Sequence, residues 1–282
     1  MNKYNIGIIQ VILSQFIVGF IYIFIKFGLP FGIYNLAFFR VFLAFIFLGL
    51  LFLFSRKYSF TIIKYDKGKM ILFGFLHALT IILSFISIKN LPLSLAVLLT
   101  ATISIWMIIF SNILLKEKIN FKIVYSILLC FIGLLFVVEL DRFSIWNYTL
   151  GVVTGLLVGI LGGFIYAFSK TLKNYDGISL TFWQNLIATP FLIPLLFIEP
   201  IVINPYNSII VLGLSIFGVS SSVLIYQGFK LIKGQIGGVL SLSNIIFTMF
   251  LGFLFFRETL SLYKIAGSIL VIYGSYLAIK SQ

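Results

Sequence analysis

Charged residues, cysteine and histidine are all scarce in this chain. Asp, Glu, Lys and Arg make up 10% of its 282 residues, whereas a soluble domain carries about a quarter. One Cys excludes a disulfide framework and a thiolate metal cluster, and one His excludes a metal site built from several histidines. Hydrophobic residues instead account for 61% of the chain. That much apolar surface cannot be hidden in one globular core, so lipid must be its main solvent.

The basic residues exceed the acidic ones and give a net charge of +13. Such a charge can indicate nucleic-acid binding. Here, however, the basic residues fall in short gaps between long apolar runs, which is typical of membrane proteins. The sequence therefore predicts a lipid bilayer, and no nucleic acid, as a partner.

Ten apolar runs are long enough to cross a bilayer, which takes about 20 residues per helix. The first run follows Lys3 without a small-residue cleavage site, so it is predicted to be a span and not a signal peptide. The runs are continuously apolar and do not alternate, which favours helices over a β-barrel. The sequence thus predicts an all-α integral membrane protein with spans at 6–27, 33–54, 70–88, 92–115, 120–139, 149–170, 178–198, 208–231, 236–256 and 262–280.

The distribution of Lys and Arg predicts the orientation in the membrane. With a cytoplasmic N-terminus, fourteen basic residues fall inside and six fall outside. This asymmetry predicts a multi-pass protein of the cell membrane with both termini in the cytoplasm.

One octapeptide occurs twice, half a chain apart. Residues 19–26 read GFIYIFIK and residues 163–170 read GFIYAFSK, so six of eight letters agree. Five crossings separate the two copies, and an odd number places them in opposite directions across the membrane. Lys26 is therefore expected outside and Lys170 inside.

A second correspondence extends the repeat. Residues 114–133, LLKEKINFKIVYSILLCFIG, align with residues 255–274, FFRETLSLYKIAGSILVIYG, at an offset of 141. Chance similarity of apolar helices is the alternative, but the shared offset includes charged residues and glycines. The sequence predicts two inverted five-helix repeats, at 1–140 and 141–282. Two such halves can exchange conformations and so expose a central cavity to each side in turn.

This arrangement resembles the EamA type of the drug/metabolite transporter superfamily over nearly the whole chain. The residues that carry the resemblance are Arg40, the pairs Lys116–Glu117 and Arg257–Glu258, and the glycines Gly133 and Gly274. The resemblance implies ten helices, with helices one to four and six to nine around a central cavity and helices five and ten at the periphery. It also implies export of amino acids or other small metabolites.

The chain departs from the family pattern at its prolines. Family members often have proline midway along helices four and nine, whereas this chain reads TATISIW at 100–106 and LSNIIFT at 242–248. Unwinding is therefore not predicted in these two spans. Pro190 and Pro194 instead predict a kink in span seven.

Polar and aromatic residues inside the spans are candidates for a binding site, because a polar side chain in lipid should face protein or a water-filled cavity. Helical spacing groups Gln15 with Tyr22 on span one, and Asn185 with Thr181 and Thr189 on span seven. Helix packing is the alternative for such residues, and it is the preferred reading for the glycines at every fourth position of span six. The predicted substrate-binding residues are Gln15, Tyr22, Arg40, His77, Tyr166, Trp183, Asn185 and Asn244.

Arg40 is the most informative of these residues. It lies about 10 Å inside the outer boundary of span two at 1.5 Å per residue, where an arginine costs about 2.5 kcal/mol or more. It could attract an anionic group such as a carboxylate, or it could be a structural arginine that caps carbonyls. His77 could likewise carry a proton or simply pack in span three.

All seven carboxylates fall in loops or at the ends of helices. Proton-coupled carriers often keep an Asp or Glu in mid-span, so the sequence predicts no carboxylate proton carrier at the midplane. Glu117 and Glu258 each follow a basic residue and are predicted to be caps or salt-bridge members without substrate contact.

The sequence thus predicts a secondary transporter of a small metabolite, with no cofactor and no bound metal. A homodimer is compatible with the sequence. An intramembrane enzyme acting on lipid or peptide is the alternative, but the chain contains no HExxH, GxSxG or P-loop motif. A scaffolding membrane protein is a third reading, which the inverted repeat disfavours.

Overall fold

The computed structural model describes residues 2–54, 66–138, 148–201, 204–257 and 261–280. Those residues form ten helical crossings, as predicted: nine are long and apolar enough to span a membrane, and one is a shorter apolar helix. Two crossings are each split into two helices. The α-helices are α1 (Lys3–Gly28), α2 (Ile33–Phe54), α3 (Lys67–Asn90), α4 (Leu93–Ala101), α5 (Ile103–Leu115), α6 (Phe121–Val138), α7 (Thr149–Ser169), α8 (Gly177–Leu192), α9 (Pro205–Leu231), α10 (Gly234–Ser241), α11 (Ser243–Phe256) and α12 (Leu262–Ile279).

Lipid explains why these runs are helices. Backbone N–H and C=O groups have no water to bond inside a bilayer, so each span must satisfy them internally. Side chains of the N-cap residues Asn2, Asp176, Asn204 and Ser261 accept hydrogen bonds from free N–H groups at the starts of four helices. The long spans consequently begin and end within a few residues of the predicted boundaries.

Spans four and nine are both interrupted, although neither has a proline midway along it. The first break lies at Thr102, between α4 and α5, and the second at Leu242, between α10 and α11. The hydroxyl of Thr102 donates to the carbonyl of Leu99 at 2.6 Å, and that of Ser243 donates to the carbonyl of Leu240 at 2.8 Å. A hydroxyl that bonds a carbonyl one turn back competes with the helical ladder, so hydroxyl groups accompany these breaks where family members often carry proline.

Span seven changes its helix type between its two prolines. The α-helix α8 contains Pro190 and ends at Leu192, and a 3-10 helix over Ile193–Phe197 contains Pro194. Proline has no N–H to donate to the i−4 carbonyl. The predicted disturbance of this span is therefore present as a change from α to 3-10 geometry.

The two halves of the chain, α1–α6 and α7–α12, pack against each other, and the contacts between their helices follow a two-fold symmetry. The helix α1 packs along α9, and its counterpart α7 packs along α3; in the same way α1 contacts α11 while α7 contacts α5. Two further cross-half pairs, α6 with α12 and α2 with α8, map onto themselves when the halves are exchanged. The fold is therefore an inverted repeat of two five-span units.

The packing of α6 against α12 shows the same symmetry at atomic detail. A Cβ added at Gly133 would lie 2.5 Å from the carbonyl oxygen of Gly267, and one added at Gly274 would lie 2.8 Å from the carbonyl oxygen of Ser126. Both glycines thus permit backbone contact between the two peripheral helices.

The glycines of span six likewise permit close packing between helices in the core of the bundle. Gly151 packs against Leu91, Gly155 against Leu99 and Gly163 against Trp106. The packing interpretation of this stripe is confirmed, because these contacts join α7 of the second half to helices of the first half.

Two polar clusters define the ends of the bundle. At one end, which we call the Glu117 end, α5, α7 and α9 terminate and α10 begins. At the opposite end, which we call the Glu199 end, Glu199 accepts a hydrogen bond from the N–H of Tyr34 at 3.1 Å and lies 3.9 Å from the Nζ atom of Lys89.

Candidate functional site

A cavity of about 160 Å³ lies in the middle of the bundle. At about 30 Å³ per water molecule, this volume suits a small solute. It is bounded by α1, α3, α7 and α9, by Arg40 of α2, and by the residues around both helix breaks. Its polar and aromatic lining comprises Ser14, Gln15, Tyr22, Arg40, His77, Thr80, Ser84, Thr100, Ser104, Tyr166, Ser221, Ser222, Tyr226, Ser241 and Asn244.

Equivalent faces of α1 and α7 form two walls of this cavity. Ser14, Val18, Ile21 and Tyr22 line it from α1, and the residues at the matching repeat positions, Val158, Gly162, Ile165 and Tyr166, line it from α7. The octapeptide that occurs twice in the sequence therefore contributes an Ile–Tyr pair to each wall, Ile21–Tyr22 and Ile165–Tyr166.

Among the described residues that line the cavity, Arg40 is the only Arg or Lys. Its guanidinium packs over Gly218, where an added Cβ would lie 3.0 Å from Nε. It interacts electrostatically with Tyr22 and Tyr166, but among the described residues it has no ion-pair partner. The matching repeat position in α8 is Gln184, whose Oε1 accepts a hydrogen bond from Tyr226 at 2.6 Å. The charge is therefore present in one half only.

The two symmetric tyrosines differ in their hydrogen bonding. The hydroxyl of Thr100 donates to the carbonyl of Val97, so it accepts the hydrogen bond from the Tyr22 hydroxyl, 2.9 Å away. No described residue forms a hydrogen bond with the Tyr166 hydroxyl. Tyr22 is thus fixed to the broken span four, whereas the Tyr166 hydroxyl is available to a solute.

Three buried polar atoms of the lining have no hydrogen-bond partner in the part of the chain that the structure describes. They are Nε2 of Gln15, Oγ of Ser104 and Oδ1 of Asn244, and their residues are at most 9% exposed. A buried polar group without a hydrogen bond lowers the free energy of unfolding by about 1–3 kcal/mol. Such groups in a cavity are suited to hydrogen bonding with a polar solute.

His77 lines the cavity from α3 and interacts with Asn185 of α8. The Asn185 side chain also donates to the carbonyl of Thr181 at 2.6 Å. Asn185 therefore lies behind the cavity wall, on the side of His77.

The polar stripe predicted on span seven does not reach the cavity. Thr181 and Thr189 donate to carbonyls of their own helix, those of Gly177 and Asn185. Trp183 is 8% exposed and packs edge-on against Phe182 with ring centroids 5.2 Å apart. The structure thus brings together Gln15, Tyr22, Arg40, His77, Tyr166 and Asn244, with Asn185 behind them and Trp183 in the packed core.

Sequence reasoning missed the polar face of α3. Thr80 and Ser84 line the cavity beside His77, and the spacing i, i+3, i+7 of these three residues is a signal that could have identified them. It also missed Ser14, whose hydroxyl donates to the carbonyl of Ser221 at 3.0 Å and joins α1 to α9.

A cluster around Glu117 lies beyond the Tyr166 wall. The Oε1 atom of Glu117 is 3.1 Å from the Nζ atom of Lys170 and accepts a hydrogen bond from the N–H of Gly234, also at 3.1 Å. Nζ of Lys170 further donates to the carbonyl of Ile232 at 2.8 Å. The prediction that Glu117 is a cap and salt-bridge member is confirmed; Glu258 lies outside the described residues.

Among the described residues, no three His, Cys, Asp or Glu side chains are grouped so that they could hold a metal ion. The described carboxylates, those of Asp66, Glu117, Asp176 and Glu199, all lie outside the cavity lining. The site can therefore bind through a guanidinium, an imidazole, amides, hydroxyls and aromatic faces.

Ten spans in two interlocked, inverted halves around a polar cavity define a multi-pass membrane protein of the inverted-repeat transporter class. The sequence profile of the EamA-like transporter family matches residues 5–139 and 149–280. The chain belongs to this family.

Two comparisons place it among known proteins. The chain is 24% identical over 227 residues to the pseudopaline exporter CntI from two strains of Pseudomonas aeruginosa, a match that covers 79% of this chain and 78% of the relative. A solved structure titled only "Crystal structure of protein" matches with a TM-score of 0.76 at 17% identity, over 98% of this chain and 97% of that one. The latter likeness concerns the fold alone.

Proposed function

We propose that this chain is a secondary transporter that exports a small metabolite, such as an amino acid or another small amphipathic solute, by alternating access. The observation that carries the proposal is the central cavity, which equivalent faces of α1 and α7 line from two inverted halves. Halves that are built alike can exchange conformations, and this exchange would move the central site from one face of the membrane to the other.

The direction of transport rests on the relative from Pseudomonas aeruginosa, which is named as an exporter. The orientation rests on the excess of Lys and Arg in the segments predicted to be cytoplasmic. With both termini in the cytoplasm of a cell-membrane protein, the Glu117 end faces the cytoplasm and the Glu199 end faces outward.

The Glu117 cluster would act as the closure at the cytoplasmic end. Glu117 follows α5 in the first half, whereas Lys170 and Gly234 belong to the second half, so their contacts join the two halves. These contacts must separate when the cavity opens to the cytoplasm. The repeats at 1–140 and 141–282 would then move relative to each other.

An enzyme that acts on lipid or peptide within the membrane is the competing function. Chemistry of that kind needs a nucleophile activated by a base, paired acids or a metal. The described lining contains no carboxylate, and Cys130 lies between α6 and α12 with its Sγ 3.5 Å from the carbonyl oxygen of Val271. Family membership and the exporter relative also favour transport.

Flux measurements in proteoliposomes test the proposal. We expect at least one labelled small metabolite to move faster into vesicles that contain the protein than into protein-free vesicles. Arg40→Ala should abolish this difference, whereas Lys122→Gln, which removes an exposed charge at the start of α6, should preserve it. Equal fluxes with and without protein across the solute panel, or chemical conversion of the solute, would contradict transport.

A further inference from the structure

We propose that the transported solute carries a net negative charge, with a carboxylate that binds Arg40 and an uncharged polar group that binds near Gln15 and Asn244. This inference deepens the proposed function and rests on it. It concerns the charge class of the solute, which transport by itself leaves open.

The first observation is the charge of the cavity. Arg40 contributes a guanidinium to the lining, and the described carboxylates lie at helix ends outside it. The position equivalent to Arg40 in the second half holds the neutral Gln184 and not a carboxylate. The symmetric position therefore does not neutralise the charge of Arg40. A guanidinium inside the bilayer without a counter-ion is unfavourable, and an anionic solute removes that cost.

The second observation is the setting of the guanidinium. The absence of a side chain at Gly218 lets Arg40 lie against α9, where an added Cβ would come within 3.0 Å of Nε. No hydrogen bond joins the guanidinium to another described residue. Its planar set of donors therefore remains free for a carboxylate, which guanidinium groups bind with two parallel hydrogen bonds.

The third observation is independent of charge. Gln15 supplies a buried amide donor and Asn244 a buried amide acceptor, and neither atom has a hydrogen-bond partner among the described residues. Both side chains line the same cavity as Arg40. Gln15 lies seven residues before Tyr22 on α1, which is about 10 Å along the helix axis, and Tyr22 interacts electrostatically with Arg40. A solute of this length could reach both groups.

Together these observations narrow the small metabolites of the proposed function to anionic ones, and they disfavour a solute whose net charge is positive or zero, which includes an amino acid with an uncharged side chain. An ammonium group would find aromatic faces, carbonyls and hydroxyls in this lining, but no described carboxylate, and it would be repelled by Arg40. The neutral amide groups of Gln15 and Asn244 match a neutral hydrogen-bonding group, such as an amide or a hydroxyl, on the same solute.

The test uses three probes of similar size and different charge: a free amino acid, its N-acetyl derivative, which is anionic, and its methyl ester, which is cationic. Each is added to the purified full chain in detergent, and the thermal unfolding midpoint is measured over a series of side chains. We expect the N-acetyl derivatives to raise the midpoint most. In Arg40→Gln their affinity should fall about 10- to 100-fold, as for a lost charge-assisted hydrogen bond.

Two further variants separate recognition from folding. Arg40→Lys keeps the charge and should retain part of the response, and Lys122→Gln removes an exposed charge and should retain all of it. If Arg40→Gln fails to fold, Gln15→Leu and Asn244→Leu still test the site. Each removes a buried polar group without a protein partner and should weaken binding of the N-acetyl probe without lowering the unfolding midpoint of the free protein.

The outcomes distinguish the two proposals. Equal or larger shifts with the free amino acid or the ester, no shift with any anionic probe, or an undiminished N-acetyl shift in Arg40→Gln would overturn the anionic solute while leaving transport intact. Vesicle flux of the three probe classes decides transport itself: flux of an ester alone would preserve the transporter and refute its anion preference, and flux of none would count against transport.

Discussion

At the scale of single residues, the repeat has given two tyrosines the same position and different surroundings. Tyr22 and Tyr166 both line the cavity and both interact with Arg40. The hydroxyl of Tyr22 is bonded to Thr100, whereas no described residue bonds that of Tyr166. A solute can therefore reach the second hydroxyl without breaking a protein hydrogen bond.

This difference predicts different effects of the same substitution. Tyr22→Phe should lower the free energy of unfolding by about 1 kcal/mol, because a buried hydrogen bond is lost. Tyr166→Phe should leave it nearly unchanged but reduce solute flux. Thermal unfolding in detergent and flux in vesicles measure the two effects. The assignment would be contradicted if Tyr166→Phe destabilised the fold as much as Tyr22→Phe.

The lack of a described carboxylate in the lining leads to a prediction about coupling. If transport depends on a pH gradient, His77 is the described lining residue suited to carry the proton. Flux in vesicles with and without a gradient should then become independent of pH in His77→Ala. Asn185→Ala, which removes a side chain that interacts with the imidazole, should weaken the dependence. Strong proton dependence that survives His77→Ala would refute this assignment.

At the scale of helices, lateral contacts depend on where glycine is placed. Gly133 and Gly274 lie at equivalent positions, and each allows its helix to touch the backbone of the other. Gly49 of α2 provides a contrast, because the nearest atom to an added Cβ is 3.7 Å away.

Gly133→Ala and Gly274→Ala should therefore destabilise the protein by similar amounts, about 1–3 kcal/mol each, since the added carbon forces α6 and α12 apart. Gly49→Ala should be neutral or slightly stabilising, because alanine favours the helix. The thermal unfolding midpoints of the three variants, compared with that of the unsubstituted protein, measure these changes in stability. A large loss in only one of the two equivalent variants would contradict the symmetric packing.

At the scale of the whole molecule, the Glu117 cluster links the two halves at one end. Glu117 bonds both Lys170 and the first N–H groups of α10. Nearby Ser111 is fully buried and packs against Gly234. Its exposure to water therefore requires the halves to separate at this end.

Glu117→Gln should increase that exposure, because the ion pair with Lys170 is lost. Cys130→Ala provides a cysteine-free background, and Ser111→Cys in that background reports the opening through its rate of reaction with a water-soluble maleimide. We expect faster labelling with Glu117→Gln and no change with Glu199→Gln at the opposite end. Unchanged labelling in Glu117→Gln would show that this cluster does not hold the end closed.

The sequence by itself determined the spans, the repeat and several residues of the site. Long apolar runs must be helices in lipid, where the backbone has no other way to satisfy its hydrogen bonds. Arg40, Gln15 and Asn244 could be predicted as lining because a polar side chain within such a run has to face protein or water.

Only the tertiary structure decided which way the ambiguous side chains point. Trp183 packs against Phe182, and the hydroxyls of Thr181 and Thr189 donate to carbonyls of their own helix. The residue types alone do not reveal either arrangement. The breaks at Thr102 and Leu242 likewise lack the proline that would announce them. In each case the deciding interaction is short-ranged: it depends on a neighbouring helix or on a single hydroxyl–carbonyl bond, which hydrophobic periodicity does not record.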